Sequence, residues 1–137
     1  MESVSDRPLI LYAEDDYDDF DSVKEALDQL SHHHILLHAQ NGTQVTAYLE
    51  GENILPDLIV LDLNMPVMDG KEVLLWLKDK DPFKDIPVMI FTTSSREEDI
   101  KLCQKYQCTF FRKPTLYRDL LHIAQTMLQM SHEGATR

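Results

Sequence analysis

A three-layer α/β/α sandwich built on a five-stranded parallel sheet is the fold this sequence predicts. Three observations point to it. Five short apolar runs recur, Leu9–Ala13, Ile35–Ala39, Leu58–Leu61, 88–91 and 109–111, and each reads as a strand. A helix-length segment separates each run from the next, and another follows the last. Finally, the runs are apolar at nearly every position rather than at alternate ones, so both faces need cover. Parallel neighbours need crossover connections, the crossovers are right-handed, and the helices that make them cover the two faces of the sheet.

The elements follow in order. The first helix carries Phe20, Val23, Leu27 and Leu30 at helical spacing. The short second one offers Val45, Tyr48 and Leu49 after a turn at Asn41-Gly42. Asp69-Gly70 starts the third, with Val73, Leu74 and Leu77 as its apolar face, and Trp76 reads as packing on it. The fourth is expected to start near Ser94 or Ser95 and to bury Ile100, Cys103 and Tyr106. The fifth is the clearest: Tyr117, Leu120, Leu121, Ala124, Met127 and Leu128 form one continuous stripe. One domain over residues 9–130 is expected, flanked by an N-terminal tail at 1–8 and a polar C-terminal tail at 131–137. A chain of 137 residues, 43% of them hydrophobic, suffices for a single core.

Charge narrows the function classes. With 24 acidic residues against 13 Lys and Arg, the formal charge of −11 repels phosphate backbones and anionic membrane surfaces, so no direct nucleic-acid or membrane partner is expected. No stretch approaches the roughly 20 apolar residues of a membrane helix, and MESVSDRP lacks a secretion pattern, which predicts a cytoplasmic protein. Cys103 and Cys108 form no CxxC pair and read as reduced thiols. The triplet His32-His33-His34 reads as a solvated loop before the second strand, since consecutive side chains diverge and no second ligand set lies near in sequence.

In such sheets the ligand site lies beyond the carboxyl ends of the strands. The first run leads into Glu14-Asp15-Asp16, the third into Asp62, the fourth into Thr92-Thr93 and the fifth into Lys113-Pro114. If the first and third strands are neighbours, Glu14, Asp15 and Asp62 crowd together and their repulsion calls for a hard divalent cation. Mg²⁺ fits best, because it prefers oxygen ligands and uses few protein carboxylates. A carboxylate can accept a phosphoryl group as an acyl phosphate when the transferred charge is neutralised. Lys113 and the Thr92 hydroxyl are the groups placed to do so, with Asp62 as nucleophile. Asp16, Asp18, Asp19 and Asp21 read instead as capping or first-turn charges of the first helix. An EF-hand loop counted from Asp16 would need glycine where Asp21 stands.

The motifs LILYAEDD, LIVLDLNMPVMDG, VMIFTTSS and FFRKP, in this order and at these strand ends, resemble those of bacterial response-regulator receiver domains of the flavodoxin-like, CheY-like type. The resemblance runs from Leu9 to about Met130. It implies the strand order 2-1-3-4-5 and phosphorylation of Asp62 by a sensor histidine kinase or a phosphotransfer protein. It also implies a Mg²⁺ ion held by Asp15, Asp62 and the backbone carbonyl of Asn64, with Glu14 acting through water. Thr92 and Lys113 fall on the family's hydroxyl and lysine positions, Phe110 on its switch aromatic, and the Lys113–Pro114 bond on a cis peptide. A protein of this kind takes and slowly loses phosphoryl groups without being a turnover enzyme. Its signal leaves through the face of the fourth helix, fifth strand and fifth helix, which can also form a homodimer. The long connection 80–86 is similar to that of single-domain regulators serving phytochrome-type kinases.

Some positions depart from the commonest pattern. Phe110 replaces a tyrosine, Thr93 a small residue and Thr115 a phenylalanine, while Asn64 and Ser94 hold the two positions that in this family tune acyl-phosphate hydrolysis. Three other functions compete. An aspartyl-phosphate phosphatase needs a second Asp two residues after the nucleophile, where Asn64 stands. A flavodoxin-like FMN carrier needs a phosphate loop where Glu14-Asp15-Asp16 repels phosphate. A pseudo-receiver that binds its partner without phosphorylation is the alternative reading within the family.

Overall fold

The computed structural model describes residues 7–51 and 53–135, so most of the expected tail at 1–8 lies outside the described residues. The strands are β1 (Leu9–Ala13), β2 (Ile35–Ala39), β3 (Leu58–Leu61), β4 (Val88–Thr92) and β5 (Thr109–Arg112). The helices are α1 (Tyr17–Leu30), α2 (Gly42–Glu50), α3 (Gly70–Lys78), α4 (Glu97–Lys105) and α5 (Tyr117–Ala135), with a short 3₁₀ turn at Phe83–Asp85. All four strand pairings are parallel, in the order β2-β1-β3-β4-β5. This is the CheY-like three-layer sandwich that the resemblance implies.

Period-two alternation along each central strand divides the core between the two faces of the sheet. Leu11, Ala13, Ile59, Leu61, Val88 and Ile90 point to the layer of α2, α3 and α4, where they meet Val45, Leu49, Val73, Leu74, Leu77 and Cys103. Ile10, Tyr12, Leu58, Val60, Met89 and Phe91 point the other way, onto α1 and α5. β1, β3 and β4 are buried at every residue, as strands covered on both faces must be. The chain turns back at the carboxyl ends of these three strands, which brings Glu14, Asp62 and Thr92 to one rim.

Four expectations need correction. The sequence read as a polar tail at 131–137 is helical as far as Ala135: Ser131 is fully buried, and a Cβ on Gly134 would lie 2.3 Å from the Asp57 carbonyl oxygen. Small residues here let the end of α5 pack on the backbone leading into β3. The fourth helix starts at Glu97, later than Ser94 or Ser95, because the Ser94 side chain bonds Asp99 rather than capping a helix. Lys113–Pro114 is not cis; the cis X-Pro bond is Asp81–Pro82, and Lys113–Pro114 keeps the isomer that X-Pro bonds intrinsically prefer. His34 is buried rather than solvated, with Nε2 3.5 Å from Asp28 Oδ1, and His33 stacks on His132. Trp76 packs as expected, against Phe83.

Candidate functional site

Each residue of the site is fixed by the backbone of the strand it terminates. The Glu14 amide donates to the Ala39 carbonyl (2.9 Å), continuing the β1–β2 ladder by one residue and turning the side chain inward, fully buried. Its Oε1 accepts from the Tyr12 hydroxyl (2.9 Å) and from Lys113 Nζ (2.6 Å), and its Oε2 from the Asp16 amide (3.3 Å). Burial pushes the Glu14 carboxyl up to about 7; the Lys113 ammonium opposes that rise and the Asp62 charge adds to it.

Asp62 follows β3, its amide donating to the Ala13 carbonyl (3.2 Å), and the residue is buried, 4% exposed. Oδ1 accepts from the Asn64 amide (3.1 Å) and Oδ2 from Lys113 Nζ (2.9 Å). The start of α3 presses against this residue: a Cβ on Gly70 would lie 2.2 Å from the Asp62 carbonyl oxygen. A capping box between Asp69 and Glu72 starts the helix there. Between them the loop carries Val67 at φ 70°, an unusual conformation for a β-branched residue.

Thr92 ends β4 and is fully buried. Its carbonyl accepts from the Lys113 amide (2.8 Å), and its Oγ1 accepts from the Ser94 amide (3.3 Å). Lys113, just past β5, reaches back across the rim to Glu14, Asp62 and Asp19, the last at 2.7 Å. Burial alone would lower the Lys113 ammonium, but its bonds to Asp19, Glu14 and Asp62 hold it above the ordinary lysine value. Phe110 lies in β5 opposite Ile90, half-buried against the α2–α4 side of the core.

Each of Glu14, Asp15 and Asp62 offers a carboxylate oxygen, and these oxygens lie within 4.8 Å of one another. Among the described residues no other set of three His, Cys, Asp or Glu side chains converges in this way. The histidine triplet therefore builds no metal site there. Two or three carboxylate oxygens with open solvent on the Asp15 side suit a hard divalent cation that keeps most of its water. Burial is the main reason the Glu14 carboxyl is raised, and the Asp62 charge adds to it, so a cation beside the cluster would favour the ionised form.

A profile of the response regulator receiver domain matches residues 10–125. The chain belongs to this family. Receiver domains are the phosphoryl-accepting components of two-component systems, and this one stands close to phytochrome response regulators. It is 37% identical over 97 residues to response regulator Rcp1 of Synechocystis, a match covering 67% of this chain and 66% of that protein. Among solved structures, it resembles the phosphorylated cyanobacterial phytochrome response regulator RcpA with a TM-score of 0.83 and 32% identity, covering 92% of this chain and 94% of that one. The Mn²⁺-bound form of response regulator Rcp1 aligns with a TM-score of 0.79 and 33% identity, covering 88% and 91%. The matches to the curated relatives span two thirds of their length or less, 66% of Rcp1 and 46% of a probable methanogenesis regulatory protein of Methanothrix harundinacea. No helix among the described residues is long and apolar enough to cross a membrane.

Sequence reasoning placed Glu14, Asp15, Asp62, Asn64, Thr92 and Lys113 at this receiver's rim, and the structure brings all six to the loops there. It missed Asp19. The capping assignment holds for Asp16, whose Oδ1 accepts from the amides of Asp18 and Asp19. Asp19 does lie in the first turn of α1, but it turns its carboxylate to Lys113, a partner 94 residues away that local spacing does not reveal.

Proposed function

We propose that this receiver accepts a phosphoryl group on Asp62 from a sensor histidine kinase, of the phytochrome type, or from a phosphotransfer protein, in a Mg²⁺-dependent reaction. The observation that carries the proposal is Lys113 Nζ at 2.9 Å from Asp62 Oδ2, beside the Glu14–Asp15–Asp62 cluster. Asp62 is the nucleophile: its carboxylate attacks phosphorus in line with the leaving group, and an acyl phosphate forms on one of its oxygens as the donor departs. Asp15, Asp62 and the Asn64 carbonyl would hold the ion, with Glu14 acting through water, and Mg²⁺ supplies charge neutralisation for the transferred group. Lys113 offers a second positive charge from the opposite side, and the Thr92 hydroxyl is within the same rim to donate to a phosphoryl oxygen.

The phosphoryl group adds about −2 charge and three strong acceptors. Thr92 moves toward it, Phe110 turns into the space vacated, and the α4–β5–α5 face changes as a pre-existing population is shifted. That face is the route for output and for a homodimer. The protein carries the signal in its charge state and does not turn over substrate as an enzyme.

Incubating the full chain with acetyl phosphate and Mg²⁺ is expected to add one phosphoryl mass, lost in Asp62→Asn and in EDTA. Undiminished labelling of Asp62→Asn would overturn the assignment of the acceptor.

A further inference from the structure

Among the described residues Asp99 is the most buried carboxylate that the phosphoryl chemistry leaves unused. It lies in the first turn of α4, 2% exposed. Burying a carboxylate is expensive unless its lone pairs are answered by well-placed donors. Here three side chains answer it. Lys71 Nζ lies 2.8 Å from Oδ1, the Ser94 hydroxyl donates to Oδ2 at 2.6 Å, and Arg96 Nε donates to the same oxygen at 3.3 Å. Burial would raise the Asp99 carboxyl, but these donors hold it below the ordinary aspartate value, so it is anionic near neutral pH.

The partners matter more than their number. Ser94 is two residues past Thr92, and its amide donates to Thr92 Oγ1 at 3.3 Å. The Ser94 amide thus holds one side of Thr92 Oγ1, and the Ser94 hydroxyl is itself held by Asp99. Lys71 directly follows Gly70, where an added Cβ would lie 2.2 Å from the Asp62 carbonyl oxygen. One carboxylate thus clamps the loop after β4 to the start of α3, which leans on the acceptor residue. An ordinary first-turn helix charge would turn to backbone amides of its own helix. Asp99 turns instead to side chains from the β4–α4 loop, Ser94 and Arg96, and from the first turn of α3, Lys71.

We propose that Asp99 is a positioning residue for phosphoryl transfer, orienting the Thr92 hydroxyl through Ser94 and fixing the β4–α4 loop against the start of α3 through Lys71. The proposal rests on Asp62 being the phosphoryl acceptor. A fixed donor costs no reorganisation when charge develops on the transferred oxygens, and a loosened one does. Asp99 touches none of Glu14, Asp15 or Asp62, so its loss spares the cation site.

The test is a time course of phosphoryl gain from acetyl phosphate with Mg²⁺, read by intact mass on the full chain, for wild type, Asp99→Ala, Ser94→Ala and the double variant. Divalent affinity is measured alongside by calorimetry. Asp99→Ala and Ser94→Ala are each expected to slow gain about 3- to 10-fold, the double variant to be no slower than the slower single one, and divalent affinity to stay at the wild-type value. Asp99→Asn, which preserves shape, is expected to slow gain by less and carries the same readout if the alanine variant does not fold. Wild-type rates in the Asp99 variants, slowing that multiplies in the double variant, or affinity that falls in step with rate would each overturn the proposal. A wild-type chain that gains no phosphoryl group defeats the Asp62 reading and this one with it. A phosphorylated wild type with indifferent Asp99 variants defeats this one alone.

Discussion

Replacing Glu14 with glutamine in the metal-free protein tests whether the rim is short of positive charge. The Glu14 carboxyl is fully buried and sits at about 7, against an ordinary 4.5. The folded protein therefore holds this proton more tightly than the unfolded chain does. Stability from this group is full below pH 4.5 and is lost as pH rises through about 7, because ionisation is favoured in the unfolded state. At about 1.36 kcal/mol per pH unit the whole shift is worth about 3 kcal/mol. Between pH 5 and pH 8 roughly 2–3 kcal/mol of it should be lost. Glutamine cannot ionise, yet its carbonyl oxygen still accepts from Tyr12 and Lys113. Its amide faces the Asp16 N–H, a penalty that does not depend on pH. Urea unfolding in EDTA across this range should therefore show wild type losing about 2–3 kcal/mol relative to Glu14→Gln as pH rises. Curves that run parallel would refute the claim that burial and the neighbouring Asp62 charge raise Glu14.

Three further outcomes are expected. Gly70→Ala drives a methyl into the Asp62 carbonyl oxygen, 2.2 Å from the new Cβ, and should cost about 2–3 kcal/mol or more in denaturant unfolding while slowing phosphoryl gain. Val67→Gly relieves a β-branched residue at φ 70° on a side chain 81% exposed, and should stabilise by about 0.5–1 kcal/mol after the entropy that glycine adds to the unfolded chain. Burial holds the His34 imidazole below its ordinary value, so the unfolded chain takes up that proton first and stability falls as pH drops below about 6.5. His34→Gln should flatten that acid limb in thermal unfolding between pH 7 and pH 5.

The fold was legible because its determinants are local and repeat. Apolar runs without alternation mark strands covered on both faces, and the stripes of α1, α3 and α5 mark the helices that cover them. The acidic, hydroxyl and lysine positions were legible for a related reason: each lies at a strand end, and the strand order that the resemblance implied brings those ends together. What escaped depends on contacts that sequence spacing does not carry. Ser131 and Gly134 look like a polar tail until the backbone beside Asp57 makes small size an asset. His34 looks solvated until Asp28 on α1 lies beside it.

Asp19 and Asp99 escaped for the same reason: each answers a side chain far away in sequence. Lys113 is one ammonium among Glu14, Asp19 and Asp62, with Asp15 beside them, so carboxylates outnumber it. Asp19 is 43% exposed in its side chain, and water screens most of its share. Glu14 and Asp62 are the buried pair, and burial, with the Asp62 charge adding to it, raises the Glu14 carboxyl to about 7. On the far side, Asp99 is paired with Lys71 at Oδ1 and with Ser94 and Arg96 at Oδ2, and these partners hold its carboxyl below the ordinary aspartate value. On the proposed reading the site divides into a carboxylate cluster with one ammonium, where a cation and a phosphoryl group would be taken up together, and a clamp at Asp99 that would hold the Thr92 hydroxyl still while the charge beside it changes.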